Sequence, residues 1–145
     1  EMDAFLASAN IRLLRDEAVL LGGEVYLYGR PDAQRPGRGV EVRKTPAELV
    51  EGLDTDKPIL VLDHQPRELE ALAAAGVDVD LCGHTHDGQM FPGNLTVRLF
   101  WENACGCLRV GSMHSIVTSG VGLFGPNMRV ATRAEICPIT IRFAG

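Results

Sequence analysis

The chain has 145 residues, of which 46% are hydrophobic and 23% are charged, a composition typical of one globular domain with a real core. Its formal net charge of −5, without a long run of Lys or Arg, argues against nucleic-acid binding driven by phosphate neutralisation. No apolar stretch approaches the ~20 residues that span a bilayer. The start Glu1-Met2-Asp3 lacks the basic segment that opens a signal peptide, so we expect none.

The first thirty residues predict a helix followed by a hairpin. Residues 2–9 favour a short helix, and two short strands are predicted at 17–21 and 24–29. Gly22-Gly23 between the strands is typical of a tight turn. The Pro- and Gly-rich stretch 30–39 then predicts a mobile surface loop.

The centre of the chain predicts a βαβ unit preceded by a capped helix. The predicted elements are a helix at 46–53, a strand at 58–62, a helix at 67–75 and a strand at 77–82. Thr45 and Glu48 form a capping-box pattern with Pro46 at the first helical position. The almost unbroken apolar run at 58–62 suits a strand covered on both faces, and the strand–helix–strand order implies parallel pairing.

The last third of the chain predicts strands alone. These predicted strands are 106–111, 114–119, 128–132 and 136–143, separated by Gly and Pro. We find no internal repeat and no low-complexity segment. The predicted class is therefore mixed α/β, with a βαβ centre followed by β-strands.

Three histidines follow the ends of the two central strands. His84 and His86 belong to the segment Gly83-His84-Thr85-His86, and His64 follows the preceding strand. Open α/β sheets place ligand sites at this edge, and adjacent parallel strands lie ~4.8 Å apart. Since neutral imidazole ligates several metals, we predict that the three histidines converge on a metal site. His114 lies inside a predicted strand and is interpreted as a structural residue.

Two segments resemble the last two metal motifs of the calcineurin-like metallophosphoesterases: Leu62-Asp63-His64-Gln65-Pro66 and Gly83-His84-Thr85-His86. The segment Tyr28-Gly29-Arg30-Pro31-Asp32 is similar to a bacterial branch of that family whose members are often membrane-linked. A tail that runs from Thr118-Ser119-Gly120 through Pro126, Arg129, Thr132 and Glu135 is similar to the same branch. The resemblance covers most of the chain.

The resemblance implies a fold and a site. The fold would be the C-terminal portion of a four-layer α-β-β-α sandwich, with residues 1–145 forming a single partial domain. His64 and His84 would ligate one divalent ion and His86 its neighbour, the pair being Mn, Fe or Zn. Two such ions clamp the attacking and leaving oxygens of a phosphoryl displacement and lower the pKa of a bridging water.

Motifs that the family carries before this point are not found in the chain. They are an Asp-x-His, a Gly-Asp-x-x-Asp and a Gly-Asn-His followed by Asp or Glu. Three imidazoles cannot hold two ions in a defined geometry. We therefore expect a partial metallophosphoesterase that is inactive by itself, the alternative being a non-catalytic binding or assembly module that retains the fold.

Two other motifs are rejected as sites. Gly120-Val121-Gly122-Leu123-Phe124-Gly125 matches a dinucleotide-binding pattern, but Pro126 and β-like residues follow where that site needs a helix. Cys82, Cys105 and Cys107 could surround zinc, but their spacing fits no common zinc motif. All four cysteines are predicted to be free thiols.

The predicted partner is a phosphoester substrate, with no nucleic acid. Four arginines could meet a phosphate, although solvated surface arginines are commoner: Arg30, Arg38, Arg129 and Arg133. The resemblance implies a cytoplasmic or membrane-associated parent protein, with any anchor in segments outside these residues. The apolar strand at 58–62 implies cover on both faces of the sheet, and the predicted helices can cover only one. We therefore also predict a homo-oligomer that covers the remaining apolar face.

Overall fold

A six-stranded mixed sheet organises the chain in a computed structural model that describes residues 2–33 and 42–142. The strands are β1 (Glu17–Leu21), β2 (Val25–Gly29), β3 (Ile59–Leu62), β4 (Val79–Cys82), β5 (Gly106–Val110) and β6 (Met113–Val117). Their spatial order is β1-β2-β3-β4-β6-β5. The four central strands pair in parallel, and the two edge strands pair antiparallel to their neighbours. The predicted mixed α/β class is confirmed.

The helices are short. They are α1 (Met2–Ser8), α2 (Pro46–Val50), α3 (Leu69–Ala74) and α4 (Gly93–Thr96), with 3₁₀ turns at His86–Gly88 and Val97–Leu99. The capping box that begins α2 is confirmed, because the Thr45 side chain accepts from the Glu48 backbone while the Glu48 carboxylate accepts from Thr45. The sequence did not predict the helical turns after residue 86.

Helices α2 and α3 cover one face of the sheet. The core cluster on this face consists of Tyr28, Leu49, Ile59, Val61, Leu69, Leu72, Val77 and Met113. Ile59 and Val61 are fully buried there, which explains half of the apolar run in β3. The alternate residues Leu60 and Leu62 face the other way, and Leu62 keeps 39% of its surface exposed. The predicted cover on both faces of β3 is thus only partial.

The opposite face of the sheet, here called the open face, is apolar and partly exposed. Its members alternate with the core residues along the strands. They include Val19, Leu21, Leu27, Leu60, Leu62, Leu81 and Ile116. The carbonyl carbon and Cβ of Leu14 lie against Gly29, so the chain before β1 covers part of this face.

A buried ion-pair network fixes the end of β3. Arg30, which is 6% exposed, donates to Asp63 at 3.1 Å and to Glu68 at 2.9 Å. Arg43 donates to the same two carboxylates at 2.9 and 2.7 Å. Glu68 reaches them from a left-handed backbone conformation (φ 59°) at the start of α3. Removing one partner from such a network would leave a buried charge, so the network locks the position from which His64 projects.

The predictions for the last third of the chain are partly wrong. Strands β5 and β6 lie where strands were predicted, but 128–132 and the described part of 136–143 form no strand. Val130 bonds with Gln89 and Phe91, and Glu135 bonds with Gly120, so the described residues align no extended partner with this segment. A β-prone sequence becomes a strand only beside such a partner. In the predicted loop 30–39, residues 34–39, and with them Arg38, lie outside the described residues.

Candidate metal centre

His64 and His84 meet at the carboxyl edge of the sheet. Strands β3 and β4 are parallel neighbours, so the residues after Leu62 and Cys82 emerge side by side. The Gly83 amide donates to the His64 carbonyl at 3.2 Å, which ties the two segments together. The imidazoles stand edge to face, with 4.8 Å between centroids and 3.0 Å between His84 Nδ1 and His64 Nε2.

This separation suits two ligands of one metal ion. Nitrogen ligands sit about 2.0–2.1 Å from zinc, so two of them in a tetrahedral or square arrangement are roughly 3 Å apart. One ring nitrogen donates to the other, and the tautomers decide which. A cation between them needs both lone pairs, so the shared proton would have to move to another ring nitrogen. The donor set of His64 and His84 therefore fits a metal ion.

His86 lines the same cavity but has different neighbours. Its carbonyl accepts from Arg129 at 3.2 Å, and its Nδ1 lies 3.5 Å from the same guanidinium. Its ring stacks on Phe124 with 6.3 Å between centroids. In residues 2–33 and 42–142, no group of three or more His, Cys, Asp or Glu side chains is arranged to hold one ion. His86 is therefore near the His64–His84 pair without joining it.

Burial favours the neutral form of two of these imidazoles. It is the largest cause that lowers the pKa of His84, followed by the charge of His64. It is also the largest cause that lowers the pKa of His86, followed by the positive charge of Arg129. Since only the neutral imidazole has a lone pair to offer, these environments favour the ligating form at neutral pH.

The backbone of this segment is strained. His84, His86, Asp87 and Gln89 have φ between 51° and 66°, in the left-handed region that residues other than glycine rarely adopt. Such positions cost on the order of 1 kcal/mol or more each, and they cluster at functional sites where surrounding contacts enforce them. This strained segment carries two imidazoles, His84 and His86, into the lining of a cavity.

A cavity of about 580 Å³ opens over the histidines, a size common for small-molecule sites. It is lined by Asp32, His64, Gln65, Arg67, His84, Thr85, His86, Gly88, Gln89, Val97, Trp101, Leu123 and Phe124. The lining combines charged and polar side chains, among them Asp32 and Arg67, with the apolar side chains of Val97, Leu123 and Phe124. The cavity can thus hold a polar group at the histidines together with an organic substituent.

The glycine-rich loop at 120–125 forms one wall of the cavity. Gln89 binds this loop on both sides, accepting from the Phe124 amide at 2.6 Å and donating to the Phe124 carbonyl at 2.6 Å. Arg129 donates to the carbonyls of Ser119, Gly120 and Gly122 at 2.7 to 3.0 Å. No helix follows the loop in the described residues up to 142, in agreement with the rejection of a dinucleotide site.

The cysteines are free thiols, as predicted. Cys82 is buried and donates to Asp80 at 3.2 Å, so it faces the core instead of the cavity. Cys105 contacts the Glu135 carboxylate at 3.9 Å. The rejected zinc site finds no support among the described side chains.

The other predicted residues occupy separate positions. His114 lies in β6, where it pairs with Val79, as its interpretation as a strand residue expects. Arg30 is committed to the ion-pair network, Arg129 to backbone carbonyls beside His86, and Arg133 is exposed.

The sequence did not single out Arg67, Trp101 or Phe124 as cavity residues, and it gave Asp32 only as part of a motif. Arg67 lies three residues after His64, which was the only local signal for it. Trp101 gave none, because it is 37 positions away along the chain from His64 and reaches the site only through the fold. Phe124 belongs to the glycine-rich motif at 120–125, which was its only signal.

Several proteins named as metallophosphoesterases are similar to the chain in sequence. It is 34% identical over 143 residues, 97% of the chain, to a metallophosphoesterase of Aquifex aeolicus. It is 40% identical over 115 residues, 75% of the chain, to a transmembrane protein with metallophosphoesterase domain of Danio rerio. A metallophosphoesterase of Helicobacter pylori is 32% identical over 138 residues, or 92% of the chain. No protein-family model and no solved structure matches the chain significantly.

The chain spans about half of the length of the Aquifex protein (54%) and smaller shares of the Helicobacter (36%) and Danio (25%) proteins. Among the described residues, no helix is long and apolar enough to cross a membrane. The level of identity over almost the whole chain, together with the strand-end histidines, places the chain in the calcineurin-like metallophosphoesterase family.

Proposed function

We propose that this chain contributes His64, His84 and His86 to a two-metal centre that hydrolyses phosphoesters. The observation that carries the proposal is the 3.0 Å separation between His84 Nδ1 and His64 Nε2, inside a cavity that His86 also lines. His64 and His84 would bind one ion, and His86 would bind the second. Bound Mn, Fe or Zn ions supply Lewis acidity and lower the pKa of water, which is the chemistry that phosphoester hydrolysis needs.

The chain's own residues orient these ligands. The Arg30–Asp63 network holds the end of β3, and Asp63 also accepts from the His64 amide at 2.7 Å. Arg129 holds the segment that carries His86 against the loop at 120–125. Ligands fixed by such surroundings bind metal with less loss of conformational entropy.

A substrate larger than phosphate fits the cavity. Its volume of about 580 Å³ and the apolar side chains of Val97, Leu123 and Phe124 leave room for an organic group on the ester oxygen. We therefore propose a phosphoester with an apolar substituent as the substrate class of this site.

The second candidate is a binding or assembly module that retains the fold without the chemistry. It is favoured by the observation that no three ligating side chains among the described residues converge on one ion. The two candidates differ in metal binding, because only the enzyme needs His64 and His84 as a chelating pair.

Titration calorimetry with Mn²⁺ and Zn²⁺ tests the proposal. We expect the unmodified chain to bind at least one ion, and His64→Ala and His84→Ala to lose more than the ~10–100-fold in affinity that loss of an outer partner costs. His114→Ala is the matched control and should bind as the unmodified chain does. Equal affinity in all four proteins would refute the metal centre and leave the binding module.

Turnover of an aryl phosphate with added Mn²⁺ supplies the second test. We expect little or no activity from the 145-residue chain alone, since three imidazoles do not complete a two-metal site. Metal-dependent turnover by this chain that His84→Ala abolishes would show that it holds a complete centre and would contradict the proposed sharing of ligands.

A further inference from the structure

Arg67 is held beside the candidate centre by two contacts. Its Nε donates to Gln65 Oε1 at 2.7 Å, and its guanidinium carbon lies 4.7 Å from the centroid of the Trp101 ring. Gln65 is itself buried, at 2% exposure, and donates to Asp32 at 2.8 Å. Gln65 therefore holds the Nε of Arg67 and Trp101 contacts the flat face of its guanidinium, although the residue is exposed.

The two terminal amino groups of Arg67 have no acceptor among the described residues. The buried and half-buried arginines differ from Arg67 in this respect. Arg30 and Arg43 bind carboxylates, and Arg129 binds backbone carbonyls. A guanidinium presents parallel N–H groups in a plane, a geometry matched to two oxygens of a phosphate or carboxylate. Arg67 offers that unoccupied edge in the cavity that His64 and His84 line.

Trp101 brings this cation close to the histidine pair. The centroid of its ring lies 5.2 Å from that of the His84 ring, edge to face. The guanidinium of Arg67 lies over the same indole ring. The Arg67 charge is also felt at His84, where it is the smallest of several causes that lower the pKa, burial being the largest. The guanidinium and the candidate metal ligands thus face one cavity from neighbouring walls.

We propose that Arg67, held by Gln65 and Trp101, binds the non-bridging oxygens of the substrate's phosphoryl group and selects phosphomonoesters over diesters. The inference rests on the proposed function and specifies its substrate class. A terminal phosphoryl group has three strong acceptor oxygens and close to two negative charges at neutral pH. A diester has one fewer non-bridging oxygen and one fewer negative charge than a monoester. A cation that binds the phosphoryl group in addition to the metal ions therefore attracts the monoester more strongly.

The fixed position of Arg67 explains why the cation can discriminate. A free surface arginine loses rotamer entropy when it binds, and that loss offsets much of the electrostatic gain. Gln65 and the Trp101 face restrict the side chain before the ligand arrives. The attraction between a guanidinium and an indole face at an exposed site is worth little in stability, so its main effect is orientation.

Trp101 is the only tryptophan of the chain, so its fluorescence reports on this wall of the cavity. We would titrate the Mn²⁺-loaded chain with methyl phosphate and with dimethyl phosphate, and repeat both titrations by calorimetry. The unmodified chain should bind methyl phosphate more tightly. Arg67→Gln should weaken methyl phosphate binding about tenfold or more, since a charge-assisted hydrogen bond is lost, and should shrink the preference over dimethyl phosphate. The methyl phosphate affinity of Arg67→Lys should lie between those of the unmodified chain and Arg67→Gln.

Arg98→Gln is the matched control, because Arg98 is exposed and lies outside the cavity lining. It removes the same charge and should leave both affinities unchanged. If Arg98→Gln weakens binding as much as Arg67→Gln, or if Arg67→Gln binds methyl phosphate like the unmodified chain, the inference is overturned. Absence of any methyl phosphate binding to the unmodified chain overturns it as well.

The metal titration separates this inference from the proposed function. If the chain binds metal but Arg67→Gln leaves methyl phosphate affinity unchanged, the metal centre stands and the role of Arg67 fails. If the chain binds no metal yet binds methyl phosphate through Arg67, the metal centre fails and the anion site at Arg67 stands. The folding of each variant is checked by circular dichroism.

Discussion

Asp80 is a buried carboxylate whose removal should change how stability depends on pH. It lies on β4 with no exposed surface, and its carboxylate accepts from Cys82 at 3.2 Å and from Ser115 at 3.4 Å. Burial, the largest cause, raises the pKa of Asp80 from an ordinary 3.8 to about 6. Asp80→Asn replaces it with a neutral side chain of nearly the same shape.

The size and the sign of the effect follow from this shift. Because the folded state holds the proton of Asp80 more tightly than the unfolded state does, the free energy of unfolding falls as pH rises from about 3.8 to about 6. Below that window both states are protonated, and above it the full cost of the buried charge is present. At 1.36 kcal/mol per pKa unit, the cost is about 3 kcal/mol.

Urea denaturation between pH 4 and pH 8 measures this cost of the buried Asp80 charge. We expect the free energy of unfolding of Asp80→Asn, relative to the unmodified chain, to rise by most of that ~3 kcal/mol between pH 4 and pH 7. Comparing the change with pH removes any constant cost of the new amide group. Asp56→Asn, at an exposed position, is the control and should follow the unmodified chain. Parallel curves for Asp80→Asn and the unmodified chain would refute the reasoning.

Three further predictions concern packing, charge and assembly. Gly29→Ala should cost about 1–3 kcal/mol in urea denaturation because its new methyl would lie 2.9 Å from the Leu14 carbonyl oxygen, whereas Gly122→Ala meets no described atom within 4 Å and should cost little. Arg30→Met should cost about 3 kcal/mol in the same assay, since the buried carboxylate of Asp63 loses a partner; a cost below ~1 kcal/mol would contradict that account. Light scattering at micromolar concentration should show a homo-oligomer that covers the open face, and a stable monomer would refute that expectation.

The sequence determined several local features of this protein. Gly22 and Gly23 adopt positive φ in the predicted hairpin, and Thr45 caps α2 as its spacing with Glu48 indicates. These features involve residues within four positions of one another, where backbone geometry and a single hydrogen bond decide the outcome. The parallel pairing of β3 and β4 was also predicted, because an apolar strand, a helix and a second apolar strand have few other arrangements.

Only the tertiary structure decided what surrounds the histidines. That His64 and His84 lie 3.0 Å apart depends on β3 and β4 being direct neighbours, which the strand order settles. The segment at 128–132 looks β-prone, yet its Arg129 binds loop carbonyls instead of a strand partner. Trp101 reaches the cavity from another part of the chain. Contacts between distant segments depend on sheet order and on side-chain hydrogen bonds, and neither leaves a periodic trace in the sequence.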